Sequence, residues 1–447
     1  MDKPVVDIDT FDNQDPIEAI YALNIGDFVT ESFISEDLLD KIADRVTGDP
    51  GKLKLQLQEL IQIYSMDNTL SIFGFDQNEG FVIYDSIAAT LRNMFQVDAC
   101  NIFQVAQKTP GESYLSLTGT SLNLNHQDRW GVGIQLGENN LLSDLYETGE
   151  VQAIQHVGNQ PHWHGIDRLS HSRVTSLLAA PMAEGNKQAG LILFESYEDV
   201  SFSPELQDLA QCVATVFVTA SRLQRLVAQA QAEIDKDASS LDELRSLRAQ
   251  ITESIADLGS HQNGFVEALG TAIDARHQFT RGHSKAVAQL AKTIATGMDL
   301  NEKTVDLVYC AGLLGSLGKI DIPGEVLSKR DDLNTQEWDE LRKHPNIGVG
   351  LLVQINFLSE VIPYVHYQKE RWDGSGGPEG LKAKNIPLGA RILAVADALV
   401  AMTHERPYRG DPLSPKEALI QVKQEAGRYW DPDVIDALER MSLDALS

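Results

Sequence analysis

DARHQFTRGHSKAVAQLA, residues 274–291, opens a C-terminal region that reads as successive helices with few strand signals. Four further segments follow in order: LLGSLGKIDIP (313–323), KHPNIGVGLL (343–352), HYQKERWDGSGGPEGL (366–381) and IPLGARILAVADALVAMTHERPYR (386–409). Together they place an all-α domain at 261–447. Immediately upstream, AEIDKDASSLDELRSLRAQITESIADLG (232–259) repeats Leu244, Ile251 and Leu258 every seven residues. That spacing marks a coiled-coil-like seam. Residues 229–260 are therefore expected to form a helical linker through which two copies of the chain dimerise.

Farther toward the N-terminus the periodicity changes. A helix, VIYDSIAATLRNMF (82–95), leads into the apolar run ACNIFQVA (99–106), then YLSLTGTS (114–121) and a helical LLSDLYETG (141–149). SLLAAPMAEGNKQAGLILFES (176–196) reads as two strands around a polar turn at Gly185 and Asn186. From Pro204 a long exit helix keeps Leu206, Leu209, Val213, Val216, Phe217, Leu223, Leu226 and Val227 at helical spacing. An α+β domain is expected over 67–228. Residues 1–66 read as an acidic extension with two short amphipathic helices, at 35–46 and 52–66.

A chain of 447 residues exceeds one ordinary core, so a multidomain protein is expected. The formal net charge of −28 argues against nonspecific binding to nucleic acid or anionic lipid, because both repel an acidic surface. No apolar run reaches ~18 residues, the length a membrane span needs. The acidic start, MDKPVVDIDTFDNQDP, has no apolar signal region, so a cytoplasmic protein is expected. Cys100, Cys212 and Cys310 lie far apart and form no metal spacing, which fits buried thiols in a reducing compartment.

The layout of residues 67–228, above all LLAAPMAEGNKQAGLILFES (177–196), resembles the GAF family of ligand- or partner-binding sensor domains. The ligand stays unknown. His156, His162, His164 and His171 crowd into QHVGNQPHWHGIDRLSH (155–171). A loop His-x-His without a Cys or carboxylate at fixed spacing is a weak metal signature, so these are read as surface or pocket-lining histidines. Cys100 sits in an expected core strand, which argues against a covalently attached bilin.

The ordered segments after residue 261 resemble the HD-GYP family of metal-dependent phosphohydrolases, over about 261–441. The resemblance implies an all-α fold and hydrolysis of cyclic di-GMP at two or three iron or manganese ions. Two close divalent ions need about seven His and carboxylate ligands drawn from several helices, with a bridging water as nucleophile. Carried over by position, the ligands His283, His344 and Asp397 survive. The family's His-Asp pair is replaced by Gly315 and Ser316, and its adjacent His-His pair by Gln368 and Lys369.

His366 lies two residues before Gln368, and a helical segment would turn it away from the site. Lys369 brings an ammonium to the metal cavity, where at ~5 Å it would repel a metal by several kcal/mol even at an effective dielectric of about 20. The same ammonium has an alternative partner in Asp397. The Gly-Tyr-Pro signature reads Gly376-Gly377-Pro378. Lys319, Arg406 and Arg409 stand where the family holds substrate phosphates, although pairing with local acids such as Glu370 and Asp373 explains them as well.

These replacements lead to the expectation of no catalytic residues, no metal and no cofactor in the HD-GYP-like site. The chain is expected to act as a signalling pseudoenzyme that docks a protein partner or binds a nucleotide. Two alternatives remain: a cyclic di-GMP phosphodiesterase with a reduced metal site, and a receptor that binds cyclic di-GMP without cutting it.

Overall fold

The computed structural model describes residues 80–440, apart from 110–111, 123–132, 138–139, 164–172, 186, 237–240, 277–279, 328, 330–333, 335–336, 338–340, 342, 354 and 405–411. The helices expected at 35–46 and 52–66, together with His164, His171, Asn186, Arg406 and Arg409, lie outside the described residues.

The N-terminal half is one antiparallel sheet in the order β3-β2-β1-β6-β5-β4. Its strands are β1 (Ala99–Thr109), β2 (Glu112–Thr120), β3 (Gly133–Gln135), β4 (Gln152–Gln155), β5 (Ser176–Glu184) and β6 (Lys187–Ser196). The hairpin of β5 and β6 forms where the polar turn was expected, with Gly185 at φ 60°, a conformation glycine adopts without strain. Successive residues of a strand face opposite sides of a sheet. On β6, Ile192 and Phe194 pack toward α1 (Gly80–Phe95) and α3 (Pro204–Ile234), where Phe194 stacks on Phe95 at 3.9 Å. Leu191 and Leu193 enter a second core with Phe103, Leu115 and the α2 (Leu141–Thr148) residues Leu142 and Leu145. Both faces are covered, which is why this strand is continuously apolar rather than alternating.

Helix α3 does not lead into an extended coiled coil. The chain reverses after Asp235, and α4 (Leu241–Ala275) runs back along α3 as an antiparallel hairpin. Leu244, Ile251 and Leu258 are all buried in the same core as Leu223, Leu226 and Val227. The seam expected to meet a second copy is thus filled from within the chain. Polar contacts fix its register: Thr219 Oγ1 lies 3.0 Å from His261 Nδ1, and Arg222 faces Glu253 and Asp257 at 3.7 and 3.6 Å. A heptad stripe specifies an apolar seam but not which helix fills it.

The C-terminal half is helical: α5 (His283–Gly297), α6 (Glu302–Leu314), α7 (His344–Leu352), α8 (Ile362–His366), α9 (Leu388–Thr403), α10 (Pro415–Gln424) and α11 (Pro432–Arg440). Helices α5 and α6 approach so closely that a Cβ on Gly312 would lie 2.5 Å from the Ala288 Cα. Helix α4 meets the end of α6 in the same manner, Gly270 against the Leu313 carbonyl. Among the described residues no helix is long and apolar enough to cross a membrane.

Candidate functional site

His283 of α5, Asp397 of α9 and Lys369, in the turn after α8, come together, and Gly315 at the end of α6 meets Gln368. His283 is the first residue of α5, and Gly282 before it offers no capping side chain. Asp274 on α4 supplies the cap instead: its carboxylate accepts from the Ser284 N–H (2.7 Å) and hydroxyl (2.8 Å), and its carbonyl accepts from the Thr280 hydroxyl. A buried carboxylate at a helix N-terminus satisfies orphan donors and favours the helix dipole. The sequence gives little sign of this role, because cap and capped residue lie ten positions apart across a loop.

His283 Nε2 lies 3.0 Å from Asp397 Oδ1, and Lys369 Nζ donates to Asp397 Oδ2 at 2.7 Å. Both carboxylate oxygens therefore face hydrogen-bond donors. The Asp397 side chain retains 27% exposure. Burial raises its pKa, but Lys369, His283 and Lys319 outweigh that and hold the carboxyl well below its usual range. His344, first in α7, lies 2.6 Å through Nδ1 from the Leu341 carbonyl. A carbonyl only accepts, so Nδ1 carries the proton. Burial, then Lys369 and Lys319, lower this imidazole's pKa to about 3, so it is neutral at physiological pH.

The replaced positions fit one another. Gln368 Nε2 donates to the carbonyls of Gly315 (2.9 Å) and Val365 (3.0 Å). A Cβ at position 315 would stand 2.8 Å from Gln368 Oε1, so the amide has taken space that a side chain at 315 would use. Ser316 Oγ accepts from Lys319 Nζ at 2.9 Å. Helix α8 ends at His366, so Gln368 and Lys369 lie in a turn rather than on the helix assumed from sequence. The Gln368 amide caps that helix end by binding the Val365 carbonyl. His366 is buried with its ring edge-on to Tyr367.

In the signature loop, Gly376 lies against the Glu370 backbone, where a Cβ would come within 2.6 Å. A Cβ at Gly377 meets nothing within 4 Å. Glu370 accepts from the N–H groups of Glu379 and Gly380, and Asp373 from that of Ser375.

A two-metal centre needs several His and carboxylate atoms aimed at a shared point. Here both Asp397 oxygens are engaged and an ammonium stands 2.7 Å from one of them. Among the described residues, no group of three or more His, Cys, Asp or Glu side chains is arranged to hold a metal. The residues present do not fit the two-metal site that the sequence resemblance implies.

In the N-terminal half, His156 is exposed and His162 half-buried, and they lie 3.4 and 3.6 Å from Asp199 and Asp144. Cys100 is fully buried in β1, where burial and then Glu195 raise its thiol pKa well above normal.

Comparison with known proteins separates the two halves. Residues 82–220 match the GAF domain family and residues 267–434 the HD domain family. A "Cyclic di-GMP phosphodiesterase" of Thermotoga maritima is 34% identical over 180 residues, 39% of this chain and 48% of that protein. "Cyclic di-GMP phosphodiesterase response regulator RpfG" of Xanthomonas campestris pv. campestris is 34% identical over 197 residues, 44% of this chain and 52% of its own. "3'3'-cGAMP-specific phosphodiesterase 1" of Vibrio cholerae is 35% identical over 176 residues, 39% of this chain and 40% of that protein. The chain thus spans about half the length of these curated relatives, or less. Among solved structures, a Bdellovibrio bacteriovorus protein described as HDG"Y"P, Bd1817, aligns over 65% of this chain and 99% of its own at 12% identity and a TM-score of 0.32. The chain is thus similar to the GAF family over residues 82–220 and to the HD family over residues 267–434, the two regions being joined through the α3–α4 hairpin.

Proposed function

We propose that this chain is a non-catalytic signalling protein in which the GAF domain senses a ligand or partner and the HD domain relays that state by docking another protein. The observation that carries this proposal is the Lys369–Asp397–His283 group, in which an ammonium holds the carboxylate that a metal would need. The contacts of Gly315 with Gln368, and of Ser316 with Lys319, support it, since these positions are engaged within the chain. The relatives named as cyclic dinucleotide phosphodiesterases support a role in second-messenger signalling.

Metal analysis of the purified protein, combined with a cyclic di-GMP hydrolysis assay, tests the proposal. Substoichiometric metal and no turnover are expected. Near-stoichiometric iron or manganese with turnover would overturn it and favour a reduced site on His283, His344 and Asp397; His283→Ala should then abolish both.

A second proposal, a cyclic di-GMP receptor that does not cut, draws on Lys319 and Lys369. Both ammonium groups lie near His344 and lower its pKa, and together they offer charge for a phosphate. Calorimetry separates the two: saturable binding without hydrolysis supports the receptor, and no heat of binding supports protein docking alone.

A further inference from the structure

The 3₁₀ turn Leu317–Asp321 carries Lys319 and directly follows the replaced pair Gly315-Ser316. Its Ile320 carbonyl accepts two hydrogen bonds from different parts of the molecule. Arg276 Nη1, at the end of α4, donates at 2.8 Å. Gln96 Nε2, from the GAF domain, donates at 3.0 Å and also reaches Asp321 Oδ1 at 3.3 Å. Gln96 caps the end of α1 in the left-handed region, at φ 51°.

The turn that receives these donors has little slack. Its backbone closes on itself through the Lys319 N–H to the Ser316 carbonyl (2.9 Å) and the Ile322 N–H to the Lys319 carbonyl (3.1 Å). Gly318 packs so tightly on α7 that an added Cβ would overlap the His344 carbonyl oxygen and stand 2.7 Å from the Gly348 nitrogen. A close-packed element moves as a unit, so a shift of the Ile320 carbonyl carries Lys319 and His344 with it.

We infer that Gln96 is the GAF domain's direct handle on the candidate site: it positions the 317–321 turn, and with it the Lys319 ammonium, through a contact additional to the grip of Arg276 at the end of the α3–α4 hairpin. The relay proposed above gives this contact its purpose, but the contact is tested without metal, nucleotide or partner.

The test uses the full chain carrying Gln96→Asn. Asparagine tolerates the left-handed conformation, so the end of α1 is kept while the shorter amide loses its reach to Ile320. Hydrogen exchange read by mass spectrometry should speed up about three- to tenfold across 317–322, the range expected for losing one net hydrogen bond, with β1–β6 unchanged. The rate of Lys319 acylation should change with it, while that of Lys187 on the sheet does not. Unchanged exchange at 317–322, an equal loss of protection in both domains, or an unaltered Lys319 rate would each overturn the inference. Turnover in the hydrolysis assay would instead sink the relay and leave this coupling standing.

Discussion

Lys369→Met asks whether the ammonium holds the remnant site together. Methionine keeps much of the length and apolar stem of lysine but cannot donate to Asp397 Oδ2. Removing one partner of a fully buried ion pair costs about 3–5 kcal/mol, whereas an exposed pair contributes about 0–1 kcal/mol. Lys369 is 40% exposed and Asp397 27%, and Asp397 keeps His283. An intermediate loss of about 1–2 kcal/mol is expected. Asp397 also fixes the pH dependence. Its folded pKa is depressed, so its contribution is complete above the unfolded carboxyl value of about 4 and is lost as pH falls toward the folded value. Urea unfolding of both proteins, followed by circular dichroism at fixed salt, should show the widest gap at pH 7 and a narrowing at pH 4 and below. Equal stability at pH 7, or a gap that persists undiminished in acid, would refute the pairing.

Gly318→Ala should be among the most damaging small substitutions, costing about 3 kcal/mol or more in unfolding free energy, because its methyl would meet the His344 backbone rather than a side chain that can swing away. Ile251→Ala should cost about 2–5 kcal/mol, with an unfolding midpoint that does not depend on protein concentration; a concentration-dependent midpoint would show the seam pairing two copies. Burial, then Asp306, pushes the Cys310 thiol up to about 12, leaving almost no thiolate at pH 8. Thiol titration of the native protein should therefore find Cys212 fastest, with Cys100 and Cys310 reacting only on unfolding; rapid labelling of Cys310 in the native state would contradict its burial.

Much of the architecture was legible because it rests on local patterns. The β5–β6 hairpin announced itself through two apolar runs around Gly185, and the helical half through its ordered segments. The expectation that Gly315, Ser316, Gln368 and Lys369 replace ligands rests on the family resemblance. The heptad of Leu244, Ile251 and Leu258 was legible as apolar, yet its partner was not, since a heptad stripe does not specify which helix fills it. Asp274 and Gln96 escaped notice because a lone Asp or Gln carries no periodic signal, and their partners lie far off in sequence or across a loop.

The sequence by itself determined the succession of a GAF-like and an HD-like region and which side chains they carry, among them His283, His344, Asp397 and Lys369. Only the tertiary structure decided where that lysine goes. Lys369 and Asp397 are 28 residues apart, and their meeting depends on α8 ending at His366 so that the following turn reaches α9. The fit of Gln368 beside Gly315, and the grip of Gln96 and Arg276 on Ile320, arise in the same way. Hydrogen bonds and packing act over a few ångströms of space, whereas sequence patterns register neighbours along the chain, so contacts between distant segments wait for the fold.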